Sequence, residues 1–169
     1  MRVKIIFIFY ILLLAVAGCS SKYDIYKTYA FSRKITAGNI PVDRNNNPTT
    51  SGVQKAHLVY IETKADVIKP IWDTAWVEGV ANSIEPIKII QDKVSLGKTK
   101  DENTTVEITP AEGNILWQLL LKPLPGIKPH DRISEKQNEN SIILSGLWNN
   151  KPVEFAIKKE TELATIFSE

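Results

Sequence analysis

The chain has 169 residues, the usual size of one folded domain, and 43% of them are hydrophobic. Its formal net charge of +2 is too small for the basic surface that nucleic-acid binding requires, so we expect no nucleic-acid partner. The single cysteine excludes a disulfide within the chain.

The first 18 residues have the pattern of an export signal. Two basic residues, Arg2 and Lys4, precede an uninterrupted apolar run over residues 5–17. This run has 13 residues, whereas a helix that crosses a membrane needs about 20. A cleaved signal peptide is therefore favoured over a permanent membrane span.

The four residues Val16-Ala17-Gly18-Cys19 complete this segment. Together they resemble the lipobox of bacterial lipoproteins. The resemblance implies that the Cys19 thiol receives a diacylglyceryl group, that the chain is cut just before this residue, and that the new amine is acylated. A lone cysteine in an exported protein fits this use, although an ordinary secretory signal with a cysteine at its cleavage site would leave the same pattern.

Cleavage before Cys19 would remove Arg2 and Lys4, which leaves 21 − 2 = 19 basic against 19 acidic side chains. We expect the mature protein to be anchored in the bacterial cell envelope by this lipid, since two or more acyl chains hold a protein stably on a membrane. By resemblance to the sorting rules of enteric bacteria, Ser20 after the cysteine favours the outer membrane.

The sequence divides into three parts. Residues 1–18 are the predicted lipoprotein signal peptide, residues 19–51 a predicted tether and irregular N-terminal segment, and residues 52–169 a single β-rich domain. The middle part is rich in turn residues, above all between Asp43 and Pro48, so little regular structure is expected there.

Downstream, short apolar runs separated by turn residues predict strands of an antiparallel sheet. Two hairpins are predicted, one joining residues 142–148 to 153–158 through Asn149 and Asn150, the other joining residues 106–109 to 115–122. Further strands are predicted over residues 57–63, 71–77, 84–90 and 94–98. About eight strands without room for crossover helices predict a mainly β fold, an antiparallel β-sandwich or small barrel that could include one short helix.

Two stretches fit either a strand or a helix. From Pro70 onward, Trp72, Trp76 and Val80 have helical spacing, although tryptophan, threonine and valine favour a strand. Residues 161–167 also fit a short helix.

No motif of a catalytic or cofactor-binding site is visible, such as a G-x-S-x-G elbow or a glycine-rich phosphate loop, so we predict no enzymatic activity and no cofactor. His57 and His130 are far apart in the sequence and the sole cysteine is assigned to lipid, so no metal site is expected. Asp73, Glu78 and Glu85 would be the first choices for a glycosidase pair, but carboxylates on strands usually only contact solvent.

Trp72 and Trp76 are the candidate ligand-binding residues. In a strand, Trp72 and Trp76 would share a face with Thr74 and Glu78, and exposed aromatic rings on one face can stack on sugars. The interpretation that we prefer is packing in a core, where most tryptophans lie.

Residues 122–140 are rich in proline and too long for an ordinary hairpin connection, which predicts either disorder or a binding loop.

The sequence as a whole predicts a non-enzymatic envelope lipoprotein that acts as a binding or assembly module. Its expected partners are the membrane, through Cys19, and another envelope protein. The alternative is a carbohydrate-binding lipoprotein or weak glycan hydrolase that uses Trp72 and Trp76 as an aromatic platform, with a glycan as its ligand.

Overall fold

The structure, a computed structural model, describes residues 24–38, 43–45, 52–64, 68–129, 131–137 and 141–168. Its elements in chain order are β1 (Ile25–Ala37), β2 (Val53–Thr63), β3 (Ile71–Val77), β4 (Val80–Ile89), β5 (Val94–Lys98), β6 (Thr105–Ile108), β7 (Ile115–Pro123), α1 (Asp131–Gln137), β8 (Ile142–Trp148), β9 (Lys151–Ile157) and β10 (Thr161–Ser168). The predicted signal peptide and Cys19 lie outside the described residues.

Eight strands form one large sheet in the order β10-β1-β2-β7-β4-β3-β8-β9, and β5 pairs with β6 in a separate hairpin. The large sheet curls into a half-barrel. Its neighbouring strands are antiparallel except for β1 and β10, which are parallel. The prediction of a mainly β fold with about eight strands and one short helix is confirmed.

Both faces of the sheet bury a core, because successive side chains of a strand point to opposite faces. The inner face of the half-barrel holds the larger core, which includes Val59, Leu119 and Leu144 from three different strands. On the outer face, the β5–β6 hairpin packs over a core around Tyr60, and α1 packs over a smaller core around Trp76.

The prediction that residues 19–51 are a tether and an irregular segment is corrected by β1. This 13-residue strand pairs with β2 on one side and with β10 on the other. Tyr29 and Phe31 pack in the core around Tyr60 on the outer face, and Ala30 packs in the core of the inner face. Polar residues within the strand, among them Lys27, Arg33 and Lys34, concealed this alternation in the sequence. The sheet therefore includes residues 25–37, well before residue 52.

Residues 122–140 also contain packed structure. β7 continues through Pro123, and α1 begins at Asp131. Ile133 of α1 is fully buried and packs with Trp76 and Ile143. Between these two elements, residues 125–128 are exposed and lie outside any helix or strand, so the segment combines packed structure with an exposed connection.

The two stretches that fitted either a strand or a helix are both strands, β3 and β10. Each pairs with a neighbouring strand along most of its length, and this pairing outweighs the helical spacing of a few apolar residues. Among the described residues the helix is α1, in a segment that the sequence pattern did not single out as helical.

One of the two predicted hairpins is confirmed. β8 and β9 are joined by Asn149 and Asn150, whose φ angles of 50° and 59° are those of a two-residue type I′ turn. The other prediction is wrong, because β6 pairs with β5 whereas β7 pairs with β2 and β4. The apolar side chains of β5 and β6 cover the outer core, so this hairpin lies over the sheet and does not extend it.

Candidate functional site

The two tryptophans that the sequence singled out are buried on opposite faces of β3. Asp73 is an extra residue at the point where β3 pairs with β8, and such a bulge reverses the alternation of side chains. Trp72 consequently joins the inner core, with its ring centroid 6.2 Å from that of Phe155. Trp76 packs in the smaller core of the outer face, beneath α1. The expectation that both share one face is corrected, and neither indole offers a ring face to a sugar.

The three carboxylates near these tryptophans are held at separate places. Glu78, in the turn between β3 and β4, forms an ion pair with Lys55 of β2. Glu85 of β4 forms an ion pair with Lys122 of β7. Asp73 is exposed in the bulge. Each carboxylate therefore has its own surroundings, unlike the facing pair of a glycosidase.

A polar cluster lies on the inner face where β10, β1 and β2 adjoin. His57 of β2 and Glu160, which directly precedes β10, are joined by a 2.8 Å hydrogen bond between Nδ1 and Oε1. The two side chains are only 14% and 8% exposed. Ser32 of β1 is also buried and lies directly opposite His57 in the β1–β2 ladder. The register thus gathers a serine, a histidine and a carboxylate.

These residue types are those of an acyl-transfer site, in which a carboxylate orients a histidine that activates a serine. Among the described residues, however, no hydrogen bond joins the Ser32 hydroxyl to the His57 ring. The bond that is formed connects Glu160 to β2 across the intervening strand β1. We interpret it as a structural link between strands and call it the His57–Glu160 clasp.

A second link lies close to the clasp. Lys55, two residues before His57 on the same strand face, pairs with Glu78 in the β3–β4 turn. The hydrogen bond from Lys55 lowers the pKa of the Glu78 carboxyl, and the same bond raises the pKa of Lys55. The pair ties the β3–β4 turn to β2, although both of its side chains are largely exposed.

A third polar cluster surrounds Glu62, on the outer face of β2. The Ala111 N–H and the Asn114 side-chain amide donate to Oε1 at 2.8 and 2.6 Å, and the Tyr29 hydroxyl donates to Oε2 at 2.9 Å. The residue is 1% exposed. Because Ala111 and Asn114 belong to the connection between β6 and β7, this carboxylate fastens that connection to the sheet.

The ionisation of this cluster follows from its contacts. Burial acts to raise the pKa of the Glu62 carboxyl, but the hydrogen bonds from Asn114, Ala111 and Tyr29 outweigh burial, so the pKa is lowered. Burial, together with the hydrogen bond to Glu62, raises the pKa of Tyr29 to about 12. The carboxylate is therefore charged and the phenol neutral near pH 7, which suits a structural role.

The half-barrel has two ends, and the chain enters at one of them. β1, β3, β7 and β9 begin at this end, where β2, β4 and β8 finish. We call it the tether end, because the residues that follow Cys19 lead to it, and we call the opposite end the far end. The exposed large apolar side chains of the tether end are Tyr26, Ile71, Ile90 and Leu147.

Sequence reasoning missed Glu62 and Glu160. Glu62 left a signal, since a carboxylate within an apolar strand must be exposed or paired. No sequence pattern indicates the role of Glu160, because its partner His57 is 103 positions away. Contacts over such distances depend on the sheet order, which short sequence patterns do not determine.

Two features are absent from the described ranges. No group of three or more His, Cys, Asp or Glu side chains there could hold a metal ion. No helix in the same part of the chain has the length and apolar character of a membrane span. Cys19 and His130 lie outside these residues.

No protein-family model matches the sequence, and no curated protein or solved structure is significantly similar to it.

Proposed function

We propose that this chain is a bacterial lipoprotein, anchored in the cell envelope through a lipid on Cys19, and that its mature domain is a non-enzymatic binding or assembly module. The observation that carries the proposal is the short chain length between the lipobox and the fold. β1 begins at Ile25, six positions after Cys19, and enters the sheet at the tether end. A lipid on Cys19 would hold this end at a membrane and leave the far end facing away.

At the far end, the edge strand β10 offers exposed apolar side chains on both of its faces to a partner. Phe167 is 77% exposed, and its neighbour Ile166, on the other face of β10, is 42% exposed. Large apolar side chains with this exposure are the kind that protein interfaces bury. The 13 residues of β1 span about 40 Å at about 3.3 Å per residue, so this surface lies well away from the tether end. We propose that its partner is another protein of the envelope.

The residue after Cys19 supports a location at the outer membrane. Ser20, rather than an aspartate, follows Cys19. By resemblance to the sorting rules of enteric bacteria, this supports attachment to the outer membrane.

The alternative function, carbohydrate binding, gains no support from the geometry. A sugar platform needs aromatic rings that are exposed on one face, whereas Trp72 and Trp76 are buried in two different cores. We therefore retain the binding or assembly module as the proposed function.

Replacement of Cys19 by serine tests the anchor. We expect wild type to incorporate palmitate during metabolic labelling and to be recovered with membranes, and we expect Cys19→Ser to incorporate none. Ser20→Ala is the matched control, since it removes a neighbouring hydroxyl and keeps the thiol. Palmitate on the Cys19→Ser protein would overturn the proposed anchor.

Photo-crosslinking in cells tests the far-end partner. A photoreactive phenylalanine at position 167 keeps the aromatic character of Phe167, and the same probe at Ile90 of the tether end is the matched control. We expect a protein adduct of one defined mass from position 167 that is lost when Ile166 is replaced by glutamate. Absence of an adduct at position 167, or the same adduct from both positions, would contradict a partner at the far end.

A further inference from the structure

We infer that the tether end of the half-barrel rests on the bilayer surface, with its exposed apolar side chains among the lipid headgroups. The inference rests on the proposed lipid anchor and goes beyond it. An anchor alone requires no contact between the folded domain and lipid, whereas this inference assigns a lipid-contacting surface and fixes the orientation of the domain.

The surface consists of four large apolar side chains that come from different strands. Tyr26 is 53% exposed, Ile71 69%, Ile90 92% and Leu147 43%. They belong to β1, to β3, to the residue after β4, and to β8. Because these strands start or finish at the same end of the curled sheet, the four side chains lie along one rim.

Part of this rim is a continuous apolar row. Ile71 pairs with Leu147 across β3 and β8, and Leu147 pairs with Pro152 across β8 and β9. Residues that are directly opposite in a ladder project from the same face. Ile71, Leu147 and Pro152 therefore form an exposed row of hydrocarbon side chains on the outer face.

Tyrosine and lysine side chains adjoin the apolar ones. The Lys64 ammonium lies 5.9 Å from the centroid of the Tyr26 ring, and Lys69 is exposed two residues before Ile71. Tyrosine is enriched at membrane interfaces, and lysine can lay its aliphatic stem on apolar surface while its charge reaches water or a phosphate. Asp24 also lies at this end, so apolar contact rather than net charge is the main attraction.

The length of chain before the fold decides what can occupy this rim. Cys19 is five positions before Asp24, and five residues span at most about 18 Å when fully extended. A folded partner or a second copy would need roughly 30 Å, the diameter of a small domain. No such body fits between the rim and the membrane that holds the lipid, so the occupant is the bilayer itself.

The far end is excluded from the same role. It also exposes apolar side chains, including Val80 and Phe167. It lies about 40 Å from the tether end along β1, which is more than twice the reach of the five residues. These far-end residues are therefore matched controls, since they are similarly exposed and chemically similar.

Site-specific fluorescence on the full lipidated chain tests the inference. Cys19 is the only cysteine and its thiol is consumed by the lipid, so an introduced cysteine is the only free thiol. Ile71→Cys and Ile90→Cys probe the tether end, and Val80→Cys and Phe167→Cys probe the far end. Each labelled protein carries an environment-sensitive fluorophore and is reconstituted into phosphatidylethanolamine–phosphatidylglycerol vesicles that contain lipid with a spin label near the headgroup.

We expect blue-shifted emission and loss of fluorescence at positions 71 and 90, and neither change at positions 80 and 167. Equal quenching at both ends, or no quenching at the tether end, would overturn the inference. A blue shift without quenching at positions 71 and 90 would show that protein covers the rim, which also overturns it. Failure of the anchor itself is separately visible, because wild type would then react with the thiol label through Cys19.

A variant separates apolar contact from simple proximity. Ile71→Ser combined with Leu147→Ser removes two exposed side chains and should leave the melting temperature unchanged. With the probe at position 90, we expect this variant to remain in the vesicles and to lose most of the quenching. Undiminished quenching would show that the tether alone brings this end to the bilayer, against the proposed apolar contact.

Discussion

The His57 ring nitrogen Nδ1 and the Glu160 oxygen Oε1 lie 2.8 Å apart, although the residues are 103 positions apart in the chain. Their bond crosses β1 and connects the start of β10 to β2. Since β10 pairs with β1 in parallel, the clasp attaches the edge strand at its first residues. Both side chains are largely buried, so water competes little for this bond.

We expect the clasp to contribute more to stability than any exposed ion pair of the molecule. A double-mutant cycle with His57→Ala and Glu160→Gln should give a coupling free energy of about 1.5 to 3 kcal/mol, as for hydrogen bonds to charged groups. The matched cycle on Lys93 and Glu107, an exposed pair at 3.1 Å, should give about 0.2 to 1 kcal/mol. Urea denaturation measures both, and equal coupling in the two cycles would contradict the structural role of the clasp.

Glu62 predicts a specific pH dependence of stability. Because the pKa of this carboxyl is lowered in the folded chain, its contribution is present above the unfolded value of about 4.3 and disappears as the pH falls through the folded value. Glu62→Gln should lower the unfolding free energy by about 1.5 to 3 kcal/mol at pH 7. The difference from wild type should shrink below about pH 4.3.

The control for this prediction is Glu112→Gln, an exposed carboxylate in the same connection between β6 and β7. We expect it to change the unfolding free energy by less than about 0.5 kcal/mol at any pH. A Glu62→Gln difference that stays constant from pH 7 to pH 3 would show that the lost stability arises from packing and not from the charge.

The tryptophans of β3 should behave as packing residues. Trp72→Ala and Trp76→Ala each empty part of a core and should cost about 3 to 5 kcal/mol of unfolding free energy. Ile90→Ala, at a 92% exposed position, should cost less than about 0.5 kcal/mol. Thermal denaturation ranks the three variants, and an unchanged melting temperature for either tryptophan variant would contradict its burial.

Gly146 should not tolerate a side chain. A β-carbon there would overlap the carbonyl oxygen of Ile71 and lie 2.9 Å from the Trp72 α-carbon, because the bulge at Asp73 brings β3 close to β8. Gly146→Ala should therefore cost about 3 kcal/mol or more. A β-carbon at Gly113 meets no atom within 4 Å. Gly113→Ala should therefore lower the unfolding free energy by only about 1 kcal/mol, because this residue has a positive φ of 77°. Equal costs in chemical denaturation would contradict the close approach at Gly146.

Local chemistry made the β8–β9 hairpin predictable. Asn149 and Asn150 tolerate positive φ, and the strands beside them alternate in polarity, so turn and register follow from adjacent residues. The same local reasoning, from residue preferences, favoured a strand over a helix for β3. This reasoning did not predict that Trp72 and Trp76 point to opposite faces, because the extra residue Asp73 reverses the alternation of side chains. No residue type in the sequence indicates such a bulge.

The rest of the fold depends on contacts between distant segments. β1 has several polar residues along its length and follows a polar segment, so the sequence resembled a tether, and its pairing with β2 and β10 depends on distant residues. Glu160 and Glu62 were not singled out from the sequence, since their hydrogen-bond partners come from distant parts of the chain. Only the apolar runs and the turn residues could be interpreted within a short window of sequence.

The parallel pairing of β1 with β10 has a consequence for biogenesis. A chain that is synthesised from its N-terminus presents β1, at 13 residues the longest described strand, long before residues 161–168 are available to pair with it. Closing so large a loop is slow compared with forming the local hairpins. Throughout that interval one edge of β1 remains open to any other extended chain, so the newly synthesised protein is most exposed to misassembly just before its final strand is completed.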